Sequence, residues 1–166
     1  MSSFDLRIRA VIGSDHPKIW TILEPIFRAG ETYAVEMNIK EDEALAYWAA
    51  PKANVFVALG SDDTVLGTYY IKPNGRGLAD HICNCGYAVA NTAQGKGVAR
   101  AMLNHSLFAA KDLGFTAMQF NFVLESNARA IDTWERAGFE TIGRIPAAYR
   151  HPKLGLVAAR IMHKAL

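Results

Sequence analysis

Residues 94 to 99 read Gln94-Gly95-Lys96-Gly97-Val98-Ala99 and fall between a segment with strand alternation and one with helical periodicity. At such a junction the first N–H groups of the helix point outward without intrahelical partners, and the helix dipole adds positive potential, so the position suits phosphate. Glycine at 95 and 97 removes the Cβ atoms that would hold a diphosphate away from those amides, and permits backbone angles that other residues avoid. Three phosphate ligands compete. A Walker loop needs Lys-Ser or Lys-Thr after its second glycine, whereas Val98 follows Gly97, which speaks against triphosphate hydrolysis. A dinucleotide fingerprint needs glycine or alanine three positions after its second glycine, where this chain has Arg100, and there is no opening βαβ half. Coenzyme A is the ligand left, with a ligand-free glycine-rich helix start as the alternative.

Three asparagines stand in segments that could border such a site: Asn84 between Cys83 and Cys85, Asn121 between Phe120 and Phe122, and Asn127 before a short helix. Strand alternation puts Asn84 on the face opposite both cysteines, where it could meet a ligand or simply satisfy a neighbouring backbone group. Asn127 is also a preferred helix N-cap. Tyr33, in a loop after Gly30, either lines an acceptor pocket or packs as an edge aromatic on the core. Glu31, Glu36, His81 and Glu125 are conceivable bases, and no position singles one out. Cys83 and Cys85 read as small core residues, since no histidine is placed to activate either. Lys96 and Arg100 either assist phosphates or form a solvated helix face.

The elements that must position these residues follow from periodicity. Arg7 to Ile12 alternates as a first strand, and Ser14 or Asp15 caps a helix carrying Ile19, Trp20, Leu23, Ile26 and Phe27, which Pro25 is expected to end or kink early. A second helix is predicted over Lys40 to Ala50. Val55 to Leu59 and Val65 to Ile71 read as a hairpin, and His81 to Val89 as the next strand. A long helix follows from Gly97 to about Leu113, with an inward stripe of Ala99, Met102, Leu103, Ser106, Leu107, Ala110 and Leu113 and a stop at Gly114. Ala117 to Val123 is a strand, Ser126 or Asn127 caps a short helix ended by Gly138, and strands around Phe139–Ile145 and Val157–His163 close the order. That order predicts an α/β fold: a mixed, mostly antiparallel sheet with helices on both faces, and a parallel crossover between Cys83 and Val123.

The 166 residues suit one domain spanning 1–166. Eighteen Lys and Arg against sixteen Asp and Glu leave a net charge of +2. Nucleic acid as a partner is disfavoured for want of basic excess, and a small molecule is favoured. Asp5, Arg7 and Arg9 interrupt any signal-peptide core, and no window approaches about 18 uninterrupted apolar residues, so no membrane partner is expected. A Cys-x-Cys pair unfit for an unstrained disulfide, with no second ligand cluster, points to a reducing cytoplasm and to no metal.

Gln94-x-x-Gly97-x-Ala99 resembles the pyrophosphate loop of the GNAT superfamily of acetyl-CoA-dependent N-acetyltransferases. Asn127-x-x-Ala130-Ile131-x-x-Trp134-x-x-x-Gly138-Phe139 is similar to that family's later segment, in which an Asn precedes a short helix and Gly-Phe starts the next strand. The resemblance covers essentially the whole chain. It implies the acyl-CoA N-acyltransferase fold, with a splay between two central parallel strands, acetyl-CoA as co-substrate, and a homodimer. The coenzyme contacts it implies are Tyr87, Val89, Gln94, Gly95, Lys96, Gly97, Val98, Ala99 and Asn127. One departure is Trp134, which stands where many members place a tyrosine that protonates the leaving thiolate. An indole N–H has no usable acidity, so the amide of Asn127 is the expected donor to the sulfur.

Gly67-Thr-Tyr-Tyr-Ile-Lys-Pro-Asn74, Cys83-Asn-Cys-Gly-Tyr87, Phe120-Asn-Phe-Val123 and Ser126-Asn127 are similar to the yeast-type branch that acetylates L-azetidine-2-carboxylate and related proline analogues. That resemblance implies that Asn84 holds an amino-acid substrate and that the backbone amides of Asn121 and Phe122 receive its carboxylate. It also implies that the Tyr87 N–H faces the thioester carbonyl and that Asn127 faces the sulfur. Direct acyl transfer to a small amine is the expected reaction. Another amine acceptor (a polyamine, an antibiotic or a protein N-terminus) and a non-catalytic acyl-CoA sensor are the rivals.

Overall fold

A computed structural model describes residues 6–166, so Asp5, one of the charges noted above, lies outside the described residues. The strands are β1 (Arg7–Ala10), β2 (Asn54–Leu59), β3 (Val65–Pro73), β4 (Ile82–Val89), β5 (Ala117–Leu124), β6 (Glu140–His151) and β7 (Gly155–Ala165). The helices are α1 (His16–Ala29), α2 (Glu41–Trp48), α3 (Val98–Asp112) and α4 (Ala128–Arg136). One sheet runs in the order β1-β2-β3-β4-β5-β7-β6, and among its pairs only β4 and β5 are parallel. This is the mixed, mostly antiparallel arrangement expected.

Alternation along the central strands sorts side chains between two cores. Tyr69, Ile71, Cys83 and Cys85 face α3, with Val98, Met102 and Phe120 in the same cluster. Tyr70 and Ala88 face the other way, toward Ile19, Leu23 and Phe27 of α1 and Trp48 of α2. Cys83 and Cys85 are buried free thiols, as their reading as core residues required. Val65 to Ile71 is buried throughout because β3 has strands on both edges and helices on both faces.

Three expectations are corrected. Pro25 does not end α1 early, since the helix continues to Ala29. A proline inside a helix costs ~3 kcal/mol. Burying Ile19, Ile22, Leu23 and Phe27 stabilises by ~1.5–3 kcal/mol each, and so outweighs it. In α3 the inward stripe is Val98, Met102, Leu103, Ser106 and Ala110. Ala99 is exposed and Leu113 is 44% exposed, because Val98, four residues before Met102, takes the inward position of the first turn and Leu113 follows the last residue of the helix, Asp112. Neither Ser14 nor Asp15 caps α1 through its side chain. The Asp15 carboxylate instead turns back toward β1, accepting from Arg9 at 2.7 and 3.1 Å and from the Ile12 N–H at 2.9 Å. The hydrogen bond from Arg9 holds the Asp15 carboxyl below the usual carboxylate range, against the opposing effect of burial.

Candidate active site

The site originates where β4 and β5 stop pairing. Their parallel ladder is confined to Ile82↔Ala117 and Cys83↔Met118. Asn74 N–H to Ile82 O (2.8 Å) and Ala90 N–H to Leu66 O (2.9 Å) fix the phase of the neighbouring β3–β4 ladder. In that phase the even-numbered residues of β4 exchange bonds with β3, so Cys85, Tyr87 and Val89 turn their N–H and C=O groups toward the gap. On the far side, the ladder from β5 to β7 passes from Phe120↔Met162 to Val123↔Arg160, a β-bulge that skips Asn121 and Phe122. Neither residue has a register partner on β7, and both line the cleft that opens there.

The gap opens into a cleft of about 960 Å³, within the range of small-molecule sites. Its walls include Tyr33, Asn84, Tyr87, Val89, Asn121, Phe122 and Asn127, together with Gln94, Gly95, Gly97, Val98 and Ala99. The sequence-predicted set thus converges on one cavity, with Lys96 alone outside its lining. Gly95 and Gly97 adopt φ +75° and +80°, left-handed values that disfavour side chains, and so deliver the chain to the first turn of α3 on the cleft wall. Val98 buries its side chain and offers only its backbone there.

Each asparagine has a defined geometry. Asn84 donates through Nδ2 to Gln119 O at 2.9 Å and accepts from the Tyr70 hydroxyl at 3.4 Å, so its carboxamide spans the point where the β4–β5 ladder ends. The backbone-satisfying reading and the cleft-lining reading of Asn84 are both realised. The Asn121 side chain donates to Asn74 Oδ1 at 2.6 Å and accepts from Gln119 Nε2 at 3.0 Å. Asn127 caps α4, its Oδ1 accepting from the Ala130 N–H at 3.2 Å, which leaves Nδ2 as the donor end of the amide.

Tyrosines hold the walls in place. Tyr33 donates to Tyr87 O at 2.7 Å and packs edge-on against Phe27 and Trp48. The Tyr87 phenol pairs with Ser106 Oγ at 2.7 Å, and its ring lies 5.3 Å from that of Trp134. Gly86 lets Tyr70 lie across β4, since a Cβ at 86 would fall 2.6 Å from the Tyr70 ring. Burial pushes the phenols of Tyr33, Tyr70 and Tyr87 well above their ordinary value, so they serve as neutral donors. Burial likewise raises the Cys85 thiol, which removes it as a nucleophile.

Among the described residues the cleft lining contains no Asp, Glu or His, and its charged residues are Lys72, Arg100 and Arg129. None of the four conceivable bases borders it. Glu31 is paired with Lys153 at 2.5 Å, and Glu125 with Arg144 and Arg160 at 2.8 and 3.3 Å. Several lining residues carried no signal of their own. Lys72 became recognisable only through the hairpin register that sets it opposite Asn84. Arg129 and Thr32 needed the three-dimensional path of their loops. Tyr149 in β6, whose hydroxyl donates to Gly30 O at 2.6 Å and to Tyr33 O at 3.2 Å, braces the Tyr33 loop from more than a hundred residues away. No helix among the described residues is long and apolar enough to cross a membrane.

Residues 17–139 match the model of the acetyltransferase (GNAT) family. The chain is 31% identical over 136 residues to the N-acetyltransferase aca1 of Schizosaccharomyces pombe, covering 73% of this chain and 65% of that protein, so it spans just under two thirds of that relative's length. A GCN5-related N-acetyltransferase from Kribbella flavida superposes with a TM-score of 0.91 at 36% identity, over 97% of this chain and 98% of the other. The phosphinothricin acetyltransferase of Sinorhizobium meliloti, solved in complex with acetyl-CoA, shares the fold with a TM-score of 0.84 at 21% identity, over 97% and 88% of the two chains. The glycine-led helix start, the splayed β4–β5 pair and the family match across residues 17–139 together show that this chain belongs to the GNAT acetyltransferase family.

Proposed function

We propose that the protein transfers the acetyl group of acetyl-CoA directly to the amine of a small acceptor, an amino acid or a proline-like imino acid such as azetidine-2-carboxylate. The observation that carries this reading is the gap between β4 and β5, bordered by the Tyr87 backbone, lined by Asn121 and Phe122 and ending at the helix start of Gly95–Ala99.

In this reading the amides at the start of α3, with Arg100 and Arg129, hold the coenzyme phosphates. The acyl arm lies in the gap, supplying an acetyl group activated as a thioester. The Tyr87 N–H faces the thioester oxygen and stabilises the charge that grows on it, a donor type worth ~2.7–4 kcal/mol. Asn127 Nδ2 donates to the departing sulfur, since Trp134 supplies no acid. Asn84 orients the acceptor, and the amides of Asn121 and Phe122 receive its carboxylate. A cleft without carboxylate or imidazole suits an acceptor that arrives as the free amine. It also disfavours polycationic acceptors.

The reading includes a reducing cytoplasm, in keeping with two buried unpaired cysteines, and a homodimer on family resemblance. A free-thiol release assay with acetyl-CoA and a panel of cyclic and acyclic amino acids tests it. Release with azetidine-2-carboxylate is expected. Release only with polyamines or other amines without a carboxylate would overturn the acceptor class, and tight acetyl-CoA binding without release would favour the sensor.

A further inference from the structure

We propose that Lys72 is the specificity-determining residue of the acceptor end, selecting acceptors that carry a carboxylate. The proposal rests on the acetyl-transfer reading for its chemistry and on the cleft itself for its geometry.

Lys72 stands in β3 directly opposite Asn84 of β4, and both side chains emerge on the face that packs α1 and α2. Its position is level with the closed end of the splay. Val89, where the chain leaves β4 for the glycine loop, is five residues farther on, or ~16 Å along a strand. Lys72 is therefore remote from the helix start that suits the coenzyme diphosphate, and its charge serves the other end of the cleft.

Aromatic faces hold the ammonium there. Nζ lies 4.8 Å from the ring centroid of Tyr70 and 5.6 Å from that of Tyr47, two cation–π contacts on a half-buried side chain. Among the described residues no carboxylate pairs with it, whereas the buried Asp15 carboxylate is paired with Arg9. Burial lowers its pKa, the direction that a bound anion would reverse. A cation kept partly desolvated over two rings, in a cleft whose lining has no acid, is complementary to an anion entering from solvent.

A second observation marks the same cavity as incomplete. Thr32 Oγ1 is buried on the cleft wall with no hydrogen-bond partner among the described residues. An unsatisfied hydroxyl in that position is a group for an acceptor to engage. Asn74 and Asn121, bonded to each other at 2.6 Å, close the cleft beside Lys72. The acceptor end thus offers one cation and several neutral donors.

Calorimetric titration of the protein saturated with coenzyme A separates this proposal from the activity. The ligands are L-proline and L-azetidine-2-carboxylate against L-prolinamide, which keeps the ring and amine and lacks the charge. The wild-type protein is expected to bind the acids ~10-fold more tightly than the amide, the order for unit charges within a nanometre of one another in a cleft. Lys72→Met should abolish that preference, Lys72→Arg should restore most of it, and both should keep wild-type coenzyme affinity. Equal binding of acid and amide, binding of neither, or an unchanged preference in Lys72→Met overturns the proposal. If the preference is found but no thiol is released from acetyl-CoA, the acetyl-transfer reading fails and the role of Lys72 stands. If acids and amides turn over with equal KM, the reading stands and the role of Lys72 fails.

Discussion

The Tyr33 hydroxyl donates a 2.7 Å hydrogen bond to the backbone carbonyl of Tyr87, tying the loop after α1 to the open edge of β4. The two backbone groups of a strand residue point the same way, so Tyr33 satisfies the carbonyl and leaves the Tyr87 N–H as the group offered to the cleft. Tyr149 in turn holds the Tyr33 loop from β6.

Tyr33→Phe keeps the ring contacts with Phe27 and Trp48 and removes only the hydroxyl. A buried carbonyl left without its donor costs ~1–3 kcal/mol. Thermal unfolding should show that loss, and thiol-release kinetics should show a several-fold drop in kcat with acetyl-CoA KM little changed. A kcat equal to wild type would mean that the clamp does not position the Tyr87 N–H.

Asn127 combines a cap with the proposed thiolate donor, and two substitutions separate them. Asn127→Asp retains an oxygen for the Ala130 N–H and loses the amide donor, so stability should hold while kcat falls ~10²-fold. Asn127→Ala loses both, with a further ~1 kcal/mol of destabilisation. Full turnover in Asn127→Asp would remove the donor role.

Asn84→Ala withdraws the carboxamide that joins Gln119 O and Tyr70 at the end of the β4–β5 ladder. Acceptor KM should rise ~10-fold, in line with ~1.4 kcal/mol for a lost hydrogen bond in a formed site, and acetyl-CoA KM should not move. An effect confined to acetyl-CoA would place Asn84 in the other subsite.

Gly86→Ala brings a methyl group 2.6 Å from the Tyr70 ring, and Tyr70 has Trp48 edge-on at 4.9 Å and so has little room to withdraw. Overpacking of this kind costs ~1–3 kcal/mol. Both a lower Tm and a weakened acceptor site are expected, since Tyr70 also supports Asn84 and Lys72. A Tm equal to wild type would show that the ring yields.

Asp15 predicts a pH dependence of stability. Its carboxyl has a folded pKa below the unfolded value, so its stabilisation is fully present above about pH 4 and is lost as pH falls through the lower folded value. Asp15→Asn should cost ~2–3 kcal/mol at neutral pH, because it weakens a buried, doubly hydrogen-bonded pair, and should flatten the acid limb of the stability profile. Parallel acid limbs in urea titrations of variant and wild type would contradict this.

The sequence determined a great deal by itself. Periodicity placed the four α-helices and seven strands of the described residues in order, and the 94–99 hexapeptide and the Asn127 cap marked the starts of α3 and α4, because each depends on residues a few positions apart. The β2–β3 hairpin and the parallel β4–β5 crossover were legible too, whereas the place of β7 rather than β6 beside β5 was not. Only the tertiary structure decided the rest. Burial of one face carried α1 through Pro25, overriding a local preference. The splay exists because the β4–β5 ladder stops after two pairs while β5 bulges against β7, and neither event has a signature within one strand. Lys72, Thr32, Arg129 and Tyr149 enter the site or its support through register and long-range contact, so their chemistry depends on what faces them rather than on their neighbours in the chain.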